Sequence, residues 1–377
     1  MHVLLLPISY KSKFNLLSAP FFRDQALALK NKGLQLGVLC PLPVSLKSIW
    51  RNKLFSFKEE SYSDEGISTF ISPFLSIPKT PNRARRIRLE KGKELFKKYI
   101  ESNGKPDIIH VHSFLAGELA LWIKNEYKIP YVITEHSSAF ERKLLTDSDL
   151  KLALKVFENS HTNIAVSQSL SNAIKCYFKE LDFQIIPNIV DTDFFNLIVK
   201  KQNDDFQFIN IAHLNKNKNQ LHLIKSFTKV FKGNQFYKLL IVGQGPEKNN
   251  LQNWIDSNTM NSQIRLYGSA SREEVRDLLH QSDCFVLSSK IETFGVVLIE
   301  AMSCGLPVLS TKCGGPESIV TNDDIGVLCS QEELSDIMKE ISTKTFSGDT
   351  IRKYVIDRFS KFSLTQQLKT IYFDCKK

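Results

Sequence analysis

The sequence predicts an α/β protein built from two doubly wound domains. Three observations carry this: short apolar β-rich runs alternate with helical patterns, the alternation is interrupted by a polar stretch and then restarts, and 377 residues exceed what one hydrophobic core usually serves.

In chain order the first domain opens with a strand over 2–8, HVLLLPI, and a helix over 20–33. Pro at the start of that helix and Gly33 at its end follow the usual asymmetry of helix termini. Strands follow at 34–40 and 106–113, a helix at 115–127, a strand at 130–136, a helix at 148–159, the run HTNIAVSQ, and the helix SLSNAIKCYFKE. The segment FQIIPNIVDTDFF (183–195) leads to the polar run VKKQNDD (199–205), where the domain boundary is expected. Asn188 and Asp191 are expected to fix the turn before it by side-chain bonds to the backbone. The pattern restarts with 206–214 and continues through strands at 238–245, 263–269, 283–289 and 306–311, with helices at 271–281, 295–304 and after Gly315. The expected domains are therefore 1–198 and 204–360, with a last helix at 363–377 beyond the second unit. Open parallel sheets bind ligands outside the carboxyl ends of their strands, so two such domains are expected to present a cleft there. His110, His112, His136, Gly243, Glu292 and Gly314 all fall at or just after predicted strand ends.

The composition, 42% hydrophobic and 24% charged, is that of a globular protein and excludes disordered and fibrous classes. The opening MHVLLLPISYKSK lacks a basic stretch, a long apolar run and a small-residue cleavage pattern, and no run approaches a membrane span, so a cytoplasmic location is expected. Seven cysteines without a C-x-x-C pair point to reduced thiols rather than disulfides or zinc. Residues 1–200 hold 28 Lys and Arg against 20 Asp and Glu, so most of the net charge of +10 lies in the first half. Nine basic and two acidic residues fall between Lys79 and Lys98. This stretch reads either as a solvated helix face or as an attraction for anionic lipid heads or phosphates. Nucleic acid is not an expected partner, because no nucleic-acid fold signature or aromatic platform accompanies the charge.

The chemistry concentrates in SSKIETFGVVLIEAMSCGLPVLSTKCGGPE (288–317). Phe294-Gly295 opens a helix whose first amides lack intrahelical partners and suit an anion. Glu292 precedes that helix, and Glu300 lies about five residues into it, roughly 7–8 Å along the axis. Two carboxylates so spaced can each hold a diol at opposite ends of an elongated ligand such as a nucleotide sugar. Gly314-Gly315-Pro316 then turns into the next helix, with glycines that let a backbone approach a diphosphate. VGQGPEK ends a strand but lacks the third glycine of a dinucleotide-binding fingerprint, which argues against a nicotinamide dehydrogenase. His110 and His112, two apart on a strand, point to one face and read as a packed or cleft-lining pair or, with a third ligand, as a metal site.

These segments resemble the retaining glycosyltransferases of family 4 and their Glu-x7-Glu signature. The resemblance extends through FFRDQALALKNKGLQLGVL, PDIIHVHS, VITEHSSAF, NIAVSQSLS, IIPNIVDTDFF and KLLIVGQGPEKNNLQ. It implies the two-domain GT-B fold, with the final helix packing back on the first domain, and transfer of a sugar from a nucleoside diphosphate sugar to an acceptor, without a metal or other cofactor. The basic first domain suits a saccharide or lipid-linked saccharide acceptor at the inner face of a membrane, in building a surface polysaccharide. It implies that Glu300 holds the ribose and that Glu292 faces the transferred sugar. Amides of Phe294, Gly295 and Val296 reach sugar or phosphate, Lys218 neutralises the diphosphate, and His136 stands near the donor sugar. Two departures stand out. His213 occupies the place of a common arginine, leaving Lys216 as a point charge rather than a bidentate fork. The loop 9–20 lacks the usual glycines, with Ala19 near one expected position and Lys11 and Lys13 as candidates, with His112, for acceptor or phosphate contact. Rival readings are another GT-B reaction, such as sugar-nucleotide epimerisation, and a non-catalytic nucleotide-sugar-binding protein.

Overall fold

The computed structural model describes residues 1–14, 20–46, 49, 57–77, 81–198 and 205–376. The expected position of Ala19, the start of the basic stretch at Lys79, and most of the polar run 199–204 lie outside these residues. The chain divides into two compact units. The first comprises Met1–Val166, Leu170–Pro187 and Leu364–Lys377, and the second Ser167–Ser169 and Asn188–Ser363.

In the first unit β1 (His2–Leu6) is buried throughout, as a strand covered on both faces must be. It pairs in parallel with β2 (Gln35–Val44) on one side and β5 (Ile108–His112) on the other. The helix α1 (Pro20–Lys30) connects β1 to β2, and Gly33 follows it with a φ of 81°. Beyond β5 the sheet continues through β6 (Tyr131–Glu135), β7 (Asn163–Ala165) and β8 (Gln184–Ile185). On the far side of β2 lies a hairpin absent from the expected elements, β3 (Glu60–Asp64) and β4 (Ile67–Leu75). Its turn residues Glu65 and Gly66 both have positive φ, 50° and 83°. The full order is β3-β4-β2-β1-β5-β6-β7-β8, with only β3 antiparallel to its neighbour. The helices between are α2 (Pro81–Asn103), α3 (Gly117–Tyr127), α4 (Asp147–Asn159) and α5 (Gln168–Lys175). A capping box between Thr146 and Asp149 starts α4.

The second unit is an all-parallel sheet of six strands. In chain order they are β9 (Phe206–Ile211), β10 (Tyr237–Val242), β11 (Ile264–Gly268), β12 (Cys284–Leu287), β13 (Val308–Thr311) and β14 (Gly326–Cys329). They lie side by side as β11-β10-β9-β12-β13-β14, the doubly wound order. The helices are α6 (Gln220–Phe231), α7 (Lys248–Ser257), α8 (Arg272–His280), α9 (Val296–Ser303), α10 (Leu334–Ile341) and α11 (Gly348–Phe359). Its core packs Phe208, Leu239, Ile241, Val286 and Leu309 of the sheet against Leu223, Ile224, Phe227, Leu251, Leu334 and Met338 of the helices. The helix expected after Gly315 is a single 3-10 turn, Gly315–Ser318.

The change of unit falls at Pro187–Asn188, earlier than the polar run. Residues 190–196 explain the difference, because they bond within the second unit. Val190 donates to the Phe359 carbonyl, and Arg352 donates to the carbonyls of Thr192 and Phe195. Asp191 accepts from the amides of Asp193 and Phe194 and pairs with Lys361 at 2.6 Å, the turn-fixing role expected of it. The last helix, α12 (Lys361–Lys376), buries Leu364, Leu368, Ile371, Tyr372 and Cys375 at helical spacing, and from Leu364 onward it belongs to the first unit.

Candidate functional site

In the second unit the strand order reverses between β9 and β12, so the loops leaving these two adjacent strands diverge to opposite faces and leave room between them. Lys218 lies on the loop after β9 and Glu292 on the loop after β12; the two side chains form an ion pair. Their side chains are 22% and 15% exposed, which shields the pair from solvent and makes it stronger than an ordinary surface pair.

Backbone bonds hold both ends. The Glu292 amide donates to the Cys313 carbonyl at 2.8 Å, and the Glu292 carbonyl accepts from Gly315 at 2.6 Å. Ser289 Oγ lies 3.4 Å from Glu292 Oε2. On the other loop Asn215 Oδ1 accepts from the amides of Asn217 and Lys218, an Asx turn, while Ser288 Oγ donates to the Lys218 carbonyl at 2.9 Å. Asn217 clasps the loops directly: its Nδ2 donates to the Ile291 carbonyl at 2.9 Å, and its carbonyl accepts from Lys290 at 2.8 Å. Burial and then the nearby Glu292 charge push the Cys313 thiol up to about 12, so it stays protonated beside the pair.

Gly295, with a φ of 97°, precedes α9, and Glu300 is that helix's fifth residue, half-buried. Phe294 is buried against Phe359, which leaves its backbone rather than its ring to meet a ligand. Val296 begins the helix, and Leu298 donates to the Gly295 carbonyl, so the amides before it lie at the open N-terminus. The two glycines of 314–315 serve the protein's own structure. Gly314 donates to the Glu317 carboxylate at 3.0 Å and Gly315 to the Glu292 carbonyl, and a Cβ on Gly315 would stand 2.3 Å from the Phe294 backbone. Close packing of backbone on backbone is therefore what demands glycine at 315, with both amides already bonded. Gly243, at a φ of 146°, closes β10 against β9, where a Cβ would meet the Ala212 carbonyl oxygen at 1.9 Å. His213 and Lys216 are exposed on the β9 loop, with His213 Nδ1 3.2 Å from Asn215 Nδ2. A cavity of about 280 Å³ opens at the opposite end of the sheet, against Phe206, Asp283 and Pro307, and shares no residue with this site.

In the first unit β5 ends in His112 and β6 leads into His136, and their rings bond, Nδ1 to Nε2, at 3.1 Å. His112 is fully buried, with the His136 ring as its bonded neighbour. Phe22 packs on both rings, with centroids 4.7 and 5.0 Å away. His110 is also buried, between Tyr372 at 2.6 Å and Thr134 at 2.8 Å. Burial and then the His136 ring lower His110 to about 3, and burial with both neighbouring rings holds His112 well below its ordinary value. All of this makes His110 and His112 neutral packing groups. Glu135, fully buried, accepts from the amides of Phe114, His136 and Ser137 and so fixes the backbone on which His136 rides. Lys13 pairs with Glu60 at 3.3 Å, while the Lys11 carbonyl accepts from Tyr62.

Sequence reasoning did not single out Asn215, Asn217, Asn219, Glu135 or Gln331. The alternating asparagines of NKNKN between a strand and a helix were a readable turn signal. Gln331, in a short loop after β14, carries no local signal at all.

Residues 21–194 match the family described as Glycosyltransferase Family 4, and residues 192–354 match Glycosyl transferases group 1. The chain is 26% identical over 288 residues to the N-acetyl-alpha-D-glucosaminyl L-malate synthase of Bacillus anthracis, covering 71% of this chain and 74% of that one. In further relatives the matched stretch covers only about half of the relative's own length. Among solved structures it is similar to sucrose-phosphate synthase from Thermosynechococcus elongatus, with a TM-score of 0.81 at 18% identity over 99% of both chains. It is also similar to the Anabaena protein HepE, solved in complex with UDP, with a TM-score of 0.73 at 17% identity over 99% of this chain and 100% of that one. Two parallel-sheet α/β units, consecutive family matches from residue 21 to residue 354 and a GT-B likeness along the whole chain agree: this chain belongs to the group 1 glycosyltransferases of family 4.

Proposed function

We propose that the protein transfers a sugar from a nucleoside diphosphate sugar to a saccharide or lipid-linked saccharide, with retention at the anomeric carbon and without a metal, as a step in building a surface polysaccharide. The observation that carries the reading is the Lys218–Glu292 pair at the switch point of the second unit, with Glu300 on the helix that starts beside it. The barrier in such a transfer lies in expelling the diphosphate while positive charge develops on the sugar ring. Lys218, with the exposed Lys216 and His213, supplies charge and hydrogen bonds for the leaving group. Glu292 faces the sugar and stabilises the ring, Glu300 holds the ribose, and His136 is the residue of the first unit assigned to the reaction. The complex of the similar HepE with UDP supports a uridine nucleotide as the first donor to try.

Much of the basic stretch is paired within the protein. On α2 Arg85 pairs with Glu118, Lys91 with Glu94, Lys93 with Glu90 and Lys98 with Glu59, while Arg88 is turned inward to the Leu115 carbonyl. An attraction to anionic lipid therefore rests on the exposed Arg83, Arg86 and Lys97. Among the described residues no helix is long and apolar enough to cross a membrane. The proposed acceptor chemistry goes with action at the cytoplasmic face of the membrane.

Thermal shift with UDP, GDP, ADP and CMP and their sugar conjugates tests the donor site. Stabilisation by one nucleotide, lost in Glu300→Ala, is expected. Transfer of sugar to added acceptors, with the anomeric configuration read by NMR, then separates a retaining transferase from an epimerase or a silent binding protein. Nucleotide binding that survives Glu300→Ala undiminished contradicts the assignment.

A further inference from the structure

Gln331 lies in the turn after β14, on a third loop of the second unit, and it touches both loops that carry the Lys218–Glu292 pair. Its side-chain oxygen accepts from Asn219 Nδ2 at 2.9 Å, and its side-chain nitrogen donates to the Ser289 carbonyl at 3.0 Å. Its main-chain carbonyl meets His222 Nε2 at 2.7 Å, on the first turn of α6. Both contacted residues adjoin the pair. Asn219 follows Lys218 directly and caps α6 in the left-handed region, with a φ of 56°. That conformation strains a residue with a Cβ, and a side-chain hydrogen bond helps to hold it. Ser289 lies three residues before Glu292, its Oγ faces the Glu292 carboxylate, and its carbonyl also accepts from Thr311 Oγ1 at 2.7 Å.

We propose that Gln331 is a positioning residue: a strut that sets the distance between the Lys218 loop and the Glu292 loop without touching substrate itself. A glutamine is needed because the strut must accept at one end and donate at the other. Glutamate keeps the length and the bond from Asn219 but sets an acceptor against the Ser289 carbonyl, and alanine loses both arms. The bond to His222 uses the main chain, so it survives either substitution and helps the turn to fold. The catalytic meaning of the strut rests on the donor-site reading above; the strut itself does not.

The test compares wild type, Gln331→Ala, Gln331→Glu, and both Asn219→Gly and the Asn219→Gly, Gln331→Ala double variant. Amide exchange in the unliganded protein comes first. In Gln331→Ala the Lys290 amide, bonded across the loops to Asn217, and the Lys218 amide are expected to exchange about ten-fold faster, the loss of one hydrogen bond's protection, while amides of β9 and β12 stay unchanged. Gln331→Glu should match alanine at Lys290. Glycine at 219 needs no support for a positive φ, so Gln331→Ala should perturb Lys218 less in that background. Titration with UDP follows, with about ten-fold weaker binding expected in Gln331→Ala. Unchanged exchange at Lys290 and Lys218, or faster exchange throughout the unit, overturns the strut whatever UDP does. Exchange as expected with no UDP binding to wild type upholds the strut and counts against a uridine donor.

Discussion

At the scale of single residues, the ion pair makes Lys218 and Glu292 compete with the ligand each is assigned. A diphosphate that takes Lys218 must draw it from Glu292, and the freed carboxylate then faces the sugar. The two substitutions should therefore act in opposite ways. Lys218→Met is expected to weaken the best-stabilising nucleoside diphosphate by ten- to a hundred-fold, roughly 1.4–2.8 kcal/mol. Glu292→Gln removes the competitor, so nucleotide binding should hold or tighten while transfer falls by about 10²–10³ through lost stabilisation of the ring. Calorimetric titration beside turnover distinguishes them; weaker nucleotide binding in Glu292→Gln than in Lys218→Met is the result that defeats this division of labour. The signature residues were legible because their spacing is local: Glu292, Gly295 and Glu300 lie within one loop and one helix. The pairing of Lys218 with Glu292 was not, because it forms only after strand order is fixed, and the same holds for the reach of Gln331 to the neighbouring Ser289 and Asn219. The use of the Gly314 amide by Glu317 was likewise hidden, since a glycine turn looks the same whether its amides face a ligand or a neighbouring carboxylate.

Elements were read well where the chain alternates strand and helix and poorly where it does not. The β3–β4 hairpin interrupts that rhythm, and the Glu65-Gly66 turn, with both residues at positive φ, was its one local mark. The hairpin is not an ornament. Asp64, 5% exposed, accepts from Arg23 at 2.7 and 2.9 Å and from the Tyr10 hydroxyl at 3.1 Å, which joins the edge of the sheet to α1 and to the loop after β1. Burial opposes ionisation there, yet the Arg23 guanidinium and the Tyr10 hydroxyl hold the carboxyl below its ordinary value. Asp64→Ala leaves a largely shielded guanidinium without its main partner and is expected to cost about 2–4 kcal/mol of the first unit's stability. Chemical denaturation measures it directly; a loss under about 1 kcal/mol would mean that Glu65, which also accepts from Arg23, carries the load.

For the whole molecule the first unit should respond to acid through its buried histidines. His2, His110 and His112 are all buried there, and burial lowers the value of each. A histidine whose folded value is lowered binds its proton first in the unfolded chain. No stability is lost above about pH 6.5; below it the fold is penalised by up to about 1.4 kcal/mol per pH unit for each such histidine, until the folded value is reached. For His110 that limit is about 3. Glu135 works in the opposite direction, since burial raises its folded value and protonation on acidification then favours the native state. Three lowered histidines, each acting with up to the same slope, outweigh one raised carboxylate, so the first unit should lose stability from about pH 6.5 toward 4.5. Loss of His110 also loosens Tyr372 on α12, which ties the response to the returning C-terminal helix. Calorimetry at several pH values is expected to show the first unit's transition falling with acid, with the slope in His110→Gln shallower by about 1.4 kcal/mol per pH unit. An unchanged slope in that variant would shift the acid response onto other groups and leave the histidine cluster a packing device alone.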